Sequence, residues 1–206
     1  MADLRFNTRS GRFIDLRGRF VSERAVRAVV DDIADGASSR MVALSERLLA
    51  GDLSLAEWQV EMQRAVKTSQ LAAATIAHGG RAQMTPGRYG AAGRAIRDEY
   101  AYLREFAAQI ADGRQPLDRR LVARAAMYGQ QARTTFEREY GRDQAGRGYQ
   151  YEANVLAPAE HCAQCREQTV RGRVPVGSLV PIGKRTCRAN CRCQMRYYRE
   201  AEESAA

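Results

Sequence analysis

The residues whose types and spacing point to chemistry are five cysteines, all of them in the last quarter of a 206-residue chain. Cys162 and Cys165 form a CxxC pair, a spacing that lets two thiolates from one tight turn face a single ion. After a further 21 residues comes an irregular group formed by Cys187, Cys191 and Cys193. Paired thiols at such intervals are typical of zinc sites.

Zinc in a structural site takes four ligands in a tetrahedron, so five thiols leave one over. We predict that Cys162, Cys165, Cys187 and Cys191 bind one structural Zn²⁺ per chain. Cys193 is then an alternative fourth ligand or a small core residue. His161 is interpreted as a turn histidine, because its adjacency to Cys162 makes simultaneous coordination awkward.

The case for a metal rests on the small size of the cysteine-rich segment. Residues 149–198 are too few and too polar to bury an adequate core alone, and structural zinc contributes about 10 kcal/mol or more to folding. Reduced core cysteines and a redox pair at Cys162 and Cys165 are the alternatives. The redox alternative is disfavoured because the CxxC is not predicted at the start of a helix that follows a strand.

The redox state of the thiols depends on the cellular compartment in which the protein is found. No stretch approaches about 18 uncharged apolar residues, and the N-terminus lacks the apolar segment of a signal peptide. We therefore expect a cytoplasm-like compartment and no membrane partner. Thiols there stay reduced, and the odd number of cysteines also favours metal binding over disulfides.

Catalysis is not expected at this cluster. A catalytic zinc keeps one open position and needs an acid or base nearby, and only Glu160 and Glu167 are close in sequence. The other histidine, His78, falls in the last turn of a predicted helix, so support for an HNH-type nuclease is weak. The sequence predicts a protein that is not an enzyme.

The chain is strongly basic, with a net charge of +9 that comes almost entirely from arginine. Residues 147–199 alone carry ten Lys or Arg against three Glu. These residues interleave with tyrosines, so a phosphate backbone, or an acidic patch of a protein neighbour, is a plausible partner. A high-GC genome that places Arg on solvated faces is the alternative explanation of the arginine excess. The candidate partner-binding residues are Arg171, Arg173, Lys184, Arg185, Arg188 and Arg192.

The elements that would position these residues are mostly helical. Residues 1–21 are predicted to be an extended basic arm that docks Phe13 and Phe20, with a disordered tail as the alternative. Helical periodicity then predicts four helices within residues 22–143, roughly 22–50, 54–78, 85–112 and 118–140. Gly36 is a candidate kink in the first helix.

Start and stop signals support these helices. The predicted N-caps are Ser22, Ser54 with Glu57 in a capping box, and Thr85 before a proline. A glycine follows each helix and is expected to form its C-cap: Gly51, Gly79, Gly113 and Gly141. Short connections favour antiparallel neighbours.

A linker is predicted at 144–148, where the helical periodicity ends. Beyond it the residue types are those of short strands and turns. Short strands are expected at 149–155 and 193–198, so residues 144–206 are predicted to be a cysteine-rich module with a short tail. The predicted fold class is therefore mainly α: an antiparallel bundle of about four helices with a small C-terminal β-hairpin module stapled by zinc.

The last 75 or so residues resemble a known family. An Arg-Ala-x-Met-Tyr helix from Arg124, the Ala-Glu-His-Cys-Ala-Gln-Cys segment, Pro-Val-Gly-Ser-Leu-Val-Pro-Ile-Gly and the ending Asn190-Cys191-Arg192-Cys193 are similar to phage head morphogenesis proteins of the Mu F-like minor capsid group. In that family a histidine often stands two residues before the Asn-Cys step. Cys187, one residue further upstream, takes its place here.

This resemblance implies a structural virion component at the head or portal vertex, made in the host cytoplasm. Its expected partners are the portal protein, the major capsid protein, packaged DNA and further copies of itself in a homo-oligomer or multi-copy assembly. A zinc-ribbon-like nucleic-acid-binding protein that acts outside any particle is the alternative function.

Overall fold

A computed structural model describes residues 4–200. The described residues are mainly helical, with small antiparallel sheets and a C-terminal cluster of cysteines, in agreement with the predicted fold class. The chain divides into two compact units, Met1–Arg133 and Thr134–Ala206. No helix among the described residues is long and apolar enough to cross a membrane.

Four long helices account for most of the described chain: α1 (Glu23–Ala50), α2 (Leu55–Ala77), α3 (Pro86–Ala111) and α4 (Arg119–Gly146). The predicted N-caps are confirmed. The Ser22 and Thr85 side chains accept hydrogen bonds from the third residue beyond them, and Ser54 forms a complete capping box with Glu57. Helix starts were predictable because these side chains replace the hydrogen-bond partners that the first turn lacks.

The core of the first unit is built by all four long helices. Trp58 is fully buried and packs edge to face on Phe106, with ring centroids 5.3 Å apart. Phe106 in turn stacks on Tyr128. The main apolar residues of this core are Met41, Leu44, Leu48, Trp58, Met62, Val66, Leu103, Phe106, Leu121, Ala125 and Tyr128.

The N-terminal residues form a sheet where an extended arm was predicted. Strands β1 (Arg5–Asn7), β2 (Arg12–Ile14) and β3 (Phe20–Val21) pair in that order, each antiparallel to the next. Phe13 is buried against Phe6, with ring centroids 5.1 Å apart, whereas Phe20 remains 63% exposed. Residues 1–3 of the predicted arm lie outside the described residues.

This sheet is attached to the end of α2. The Phe6 amide donates to the Gly79 carbonyl at 3.1 Å, and a Cβ at Gly79 would collide with the Phe6 side chain and backbone. A Cβ at Gly80 would likewise meet the Leu4 carbonyl. The glycine pair that ends α2 therefore also admits the first strand, which the sequence analysis did not foresee.

Two glycines do not end helices. α1 is continuous through Gly36, so the helix is not broken there. Gly141 does not end α4, which was predicted to stop at Tyr140 and continues to Gly146. Gly141 is required instead because the Tyr197 hydroxyl occupies the space that a Cβ would need. A glycine can end a helix, or it can allow another side chain to approach the helix backbone closely. The position of a glycine in the sequence does not show which of the two roles it has.

The second unit contains α5 (Ala163–Val170) and strands β4 (Tyr151–Val155), β5 (Val174–Pro175) and β6 (Gln194–Tyr198). The strands form an antiparallel sheet in the order β5-β4-β6, with Tyr151 opposite Tyr198. Two of the strands match the predicted ones, while α5 was not predicted. The last residues of the predicted tail, 201–206, lie outside the described residues.

The division between the units falls inside α4, ten residues before the domain boundary drawn from the sequence at 143/144. Within the second unit, Tyr140 packs on both Phe136 and Tyr197. The Glu137 carboxylate accepts the Met195 amide at 3.2 Å. The end of α4 is thus part of the core of the cysteine-rich unit.

Candidate metal centre

Three short elements position the five thiols. Cys162 is the N-cap of α5, and Cys165 lies in its first turn. Cys187 and Cys191 flank a single 3₁₀ turn, Arg188–Asn190, and Cys193 directly precedes β6. All five cysteines are unpaired thiols. The CxxC therefore lies at the start of a helix that follows strand β4, where the sequence analysis did not expect it, and this removes the reason given there against a redox pair at Cys162 and Cys165.

The 3₁₀ turn has a backbone that few residues adopt. Arg188 has a φ of +48°, which makes it the one non-glycine residue with positive φ in the described chain. A left-handed backbone costs a residue with a Cβ about 1–2 kcal/mol. With this strained backbone the turn places the sulfurs of both Cys187 and Cys191 next to that of Cys165.

Cys165 is the centre of the cluster. Its Sγ lies 3.5 Å from that of Cys187 and 3.7 Å from that of Cys191. Two sets of three thiols, each within 4.8 Å of one another, share it: Cys162, Cys165 and Cys187 in one, and Cys165, Cys191 and Cys193 in the other. Four sulfurs at about 2.3 Å from one tetrahedral ion would lie about 3.8 Å apart. The cluster can therefore hold a metal ion.

The centre is closed to solvent on most sides. Cys165, Cys191 and Cys193 are at most 4% exposed, and Cys162 and Cys187 are half-buried. Leu179, Ile182 and Met195 pack around them. A buried site of this kind excludes competing water ligands and keeps the coordination shell made of protein.

Arg185 corrects one of the predicted partner-binding residues. Its side chain is 1% exposed, so it cannot lie on a binding surface. The guanidinium donates from Nη1 to Asn154 Oδ1 at 2.6 Å and to Cys165 Sγ at 3.9 Å, and from Nε to the Val180 carbonyl at 2.8 Å. It provides a buried positive charge beside the thiols.

Asn154 connects the strand to the helix that carries the CxxC. From β4 its Nδ2 donates to the Cys165 carbonyl at 3.2 Å and to Thr169 Oγ1 at 2.7 Å. Its Oδ1 accepts from Arg185. One buried amide thus fixes the helix that carries Cys165 and the guanidinium that faces it. Asn154 was not singled out from the sequence and Arg185 was assigned to the surface, because an isolated polar residue gives no signal of its burial.

The thiols differ in acidity. Burial alone would raise the pKa of Cys165, yet its pKa is lowered to about 7 because hydrogen bonds with Cys193, Cys162 and Arg185 stabilise the thiolate. Burial raises the pKa of Cys187, Cys191 and Cys193 to about 12. In the metal-free chain the negative charge therefore concentrates on Cys165.

His161 lies closer to the thiols than predicted. Its Nδ1 is 3.6 Å from Cys193 Sγ, and its Nε2 is 2.6 Å from the Ala157 carbonyl. A carbonyl only accepts hydrogen bonds, so Nε2 carries the proton and the lone pair of the neutral ring is on Nδ1. His161, set aside as a ligand because it adjoins Cys162, thus faces Cys193 instead.

The other basic candidates are on the surface. Arg171, Arg173, Lys184, Arg188 and Arg192 are all exposed. Arg171 donates to the Ser178 carbonyl at 3.1 Å, and the Arg173 guanidinium lies 3.9 Å from the centre of the Tyr198 ring. A partner-binding role for these five residues stays a prediction.

The two carboxylates that are close to the cysteines in sequence lie on the surface. Glu160 and Glu167 are exposed. Glu152 is buried, but its Oε1 accepts the Leu179 amide at 2.9 Å. It lines a cavity of about 250 Å³ with Glu137, Leu179, Ile182 and Tyr197. His78 is the C-cap residue of α2, close to its predicted place in the last turn of that helix.

Comparison with known proteins adds no assignment. Neither the protein-family models, nor the curated proteins, nor the solved structures include a match to this chain.

Proposed function

We propose that this chain is a structural virion protein, a minor capsid or head morphogenesis component, whose C-terminal module is stapled by zinc. The observation that carries the proposal is the convergence of five buried or half-buried thiols on Cys165. The resemblance of residues 124–193 to Mu F-like minor capsid proteins supports the virion assignment. Its expected partners are the portal protein, the major capsid protein and further copies of the chain.

Zinc is the ion that these donors favour. Thiolates are soft ligands that select zinc, copper(I) or iron–sulfur clusters over hard cations. The proposed ligand set is Cys162, Cys165, Cys187 and Cys191, with Cys193 as the alternative to Cys191. The structure brings the first three within 4.8 Å of one another, whereas Cys191 is grouped with Cys165 and Cys193, so binding of one ion by all four requires the two groups to close on it. Four protein ligands fill a tetrahedral shell and leave no position for substrate, so the role that we propose is structural.

The module needs such a staple because its elements are short. Its three strands are two to five residues long, and α5 has eight residues. Strands and helices of this length are marginal without further constraint. A metal ion held by the proposed ligand set joins α5 to the 3₁₀ turn, and through Cys193, the alternative ligand, it would also join the start of β6.

Two measurements test this proposal. Mass spectrometry of purified particles and proheads should detect the chain in one or both. Elemental analysis of the protein purified without chelator should find zinc bound to it. Absence from particles and proheads alike contradicts the virion role, and a metal-free protein contradicts the zinc staple.

A second candidate function is nucleic-acid binding outside the particle. It is favoured by the pairing of arginine with tyrosine around the sheet of the second unit, where Arg173 lies over Tyr198 and Arg199 lies 4.9 Å from the centre of the Tyr149 ring. Arginine and exposed aromatic rings together form surfaces on which bases stack and phosphates pair.

If this second function is right, the chain binds nucleic acid with an affinity that falls steeply as the salt concentration rises. A mobility shift on single-stranded and duplex DNA at low and moderate salt measures it, with Arg173→Ala as the test variant. Arg104→Ala, an exposed arginine on α3, is the matched control for loss of charge. No shift at low salt would dispose of the candidate.

A further inference from the structure

We propose that the cavity beside the end of α4 is a binding site for a small organic amine, with the Glu152 carboxylate as the partner of the ligand's ammonium group. The site lies wholly within the second unit, and its lining includes none of the thiols. The inference goes beyond the proposed function, because neither the zinc staple nor the virion role uses this cavity.

Glu152 is the polar group that defines the site. It lies on β4, lines the cavity and is 5% exposed. Its Oε1 accepts the Leu179 amide at 2.9 Å, and within residues 4–200 its Oε2 has no hydrogen-bond partner. An ionised carboxylate accepts about four hydrogen bonds, and a buried one is costly unless it is paired. Glu152 therefore offers an unfilled acceptor to a positively charged donor in the cavity.

The other charged groups of the cavity favour one monovalent cation. Glu137 also lines it and accepts the Met195 amide. Two guanidinium groups line it as well, and both pair with Glu139: Arg138 Nε and Arg142 Nη1 lie 3.0 and 3.1 Å from Glu139 Oε1. Three carboxylates and two guanidinium groups leave a net charge of −1, which one ammonium group balances.

The rest of the lining calls for an apolar body on the ligand. Most of it is formed by Val176, Leu179, Pro181, Ile182, Met195 and Tyr197. The cavity volume is about 250 Å³. An apolar cavity of about 150 Å³ already admits benzene, so a phenyl ring or a short alkyl chain with one ammonium group fits. A bare metal ion would leave the apolar volume unfilled, and small-molecule sites generally combine apolar walls with a few placed polar groups.

The experiment compares three probes of similar size that differ in charge: phenethylamine, phenethyl alcohol and phenylacetate. NMR titration of the full chain, purified without chelator, measures the three dissociation constants. The amine should bind about tenfold to a hundredfold more tightly than the alcohol, because its hydrogen bond to Glu152 is assisted by charge. Phenylacetate should bind more weakly than the alcohol, because its charge has the same sign as that of Glu152.

Three variants locate the binding. Glu152→Gln keeps an oxygen for the Leu179 amide and should reduce the affinity for the amine to that for the alcohol, with the affinity for the alcohol unchanged. Glu160→Gln, an exposed carboxylate of the same unit, should keep the preference for the amine. Ala145→Leu changes an exposed residue that lines the cavity, and it should weaken the binding of amine and alcohol alike by narrowing the space.

The proposal is overturned by equal affinity for the amine and the alcohol, by an amine affinity that is unchanged in Glu152→Gln, or by no binding of any probe. None of these results alters the zinc content or the presence of the chain in particles, which test the proposed function. If Glu152→Gln fails to fold, the wild-type preference for the amine and its loss of affinity in Ala145→Leu decide the question.

Discussion

The Tyr197 hydroxyl on β6 fills the space beside Gly141 on α4 that a Cβ would require. The same tyrosine ring packs edge to face on Tyr140, with centroids 5.9 Å apart. The Tyr197 side chain thus packs against two adjacent residues of α4. It contacts the Tyr140 ring, and it fits beside Gly141 because glycine has no side chain. This relationship fixes how the end of the helix meets the sheet inside the second unit.

Gly141→Ala should therefore destabilise the second unit, although alanine favours a helix more than glycine does. Forcing an extra carbon into a packed contact costs about 1–3 kcal/mol, which exceeds the gain of about 1 kcal/mol in helix propensity. Urea unfolding followed by tyrosine fluorescence measures the change. Gly146→Ala, at the end of the same helix with nothing within 4 Å of its Cβ position, is the control and should not destabilise the chain.

Ser45→Ala should destabilise the helical core. Ser45 Oγ accepts the Trp58 indole N–H at 3.1 Å and donates to the Met41 carbonyl at 2.8 Å, and both Ser45 and Trp58 are fully buried. Without the hydroxyl, a buried donor is left unpaired at a cost of about 1–3 kcal/mol. Chemical unfolding monitored by tryptophan fluorescence measures this loss of unfolding free energy. Ser39→Ala removes an exposed hydroxyl from the same helix and should have little effect.

Arg185→Met should loosen the module and weaken metal binding. It leaves Asn154 Oδ1 and the Val180 carbonyl without their donor and removes the charge beside Cys165. The expected loss is about 1–3 kcal/mol of unfolding free energy, with faster release of zinc to a chelator. Lys184→Met, its exposed neighbour, is the control. Unchanged stability and zinc release in Arg185→Met would show that the guanidinium does not support the centre.

Cys165→Ser should abolish metal binding, because both sets of thiols share this residue. Residues 149–198 should then exchange amide hydrogens faster, while α1 and α2 keep their protection. Hydrogen exchange with mass spectrometry compares the two regions in one experiment. Ser178→Ala, an exposed change in the same unit, should leave metal content and exchange as in the wild type.

Metal affinity should rise with pH. The pKa of Cys187 and Cys191 is raised to about 12, so at neutral pH both are protonated in the metal-free chain and must lose protons on binding. Each displaced proton changes the affinity by about tenfold per pH unit, so these two thiols alone contribute about a hundredfold. Below pH 7 the dependence steepens, because Cys165, with a pKa of about 7, also becomes protonated.

The metal-free chain should show the opposite trend in stability. Thiols whose pKa is raised above their ordinary value of 9.0 favour the folded state below pH 9, and that contribution is lost as the pH rises towards 12. Chelator competition from pH 6 to pH 8 and urea unfolding from pH 9 to pH 11 measure the two effects. Affinity independent of pH would contradict the assigned thiol protonation.

The sequence predicted the features that depend on neighbouring residues. Ser22, Ser54 and Thr85 were identifiable as helix starts because capping acts across three residues. The thiols were identifiable as a group because cysteines are rare and their spacing is distinctive. The tyrosine-rich strands β4 and β6 were also found, from β-branched and aromatic content.

What the sequence did not predict depends on contacts between distant residues. Gly141 was interpreted as a helix end because its partner Tyr197 is 56 positions away. Arg185 was interpreted as a surface residue because the acceptors that bury it are distributed over β4 and a turn. His161 was set aside on adjacency to Cys162, although the Ala157 carbonyl turns its ring towards Cys193.

The attachment of β1 to the end of α2 has a consequence for the order of events during synthesis. Phe6 is synthesised before its hydrogen-bond partner Gly79, which is added 73 residues later. At translation rates of about 5–20 residues per second, roughly 4–15 seconds separate the two residues. During that interval β1 lacks the end of α2 to which it attaches, so the strand can be completed only after that helix has been made.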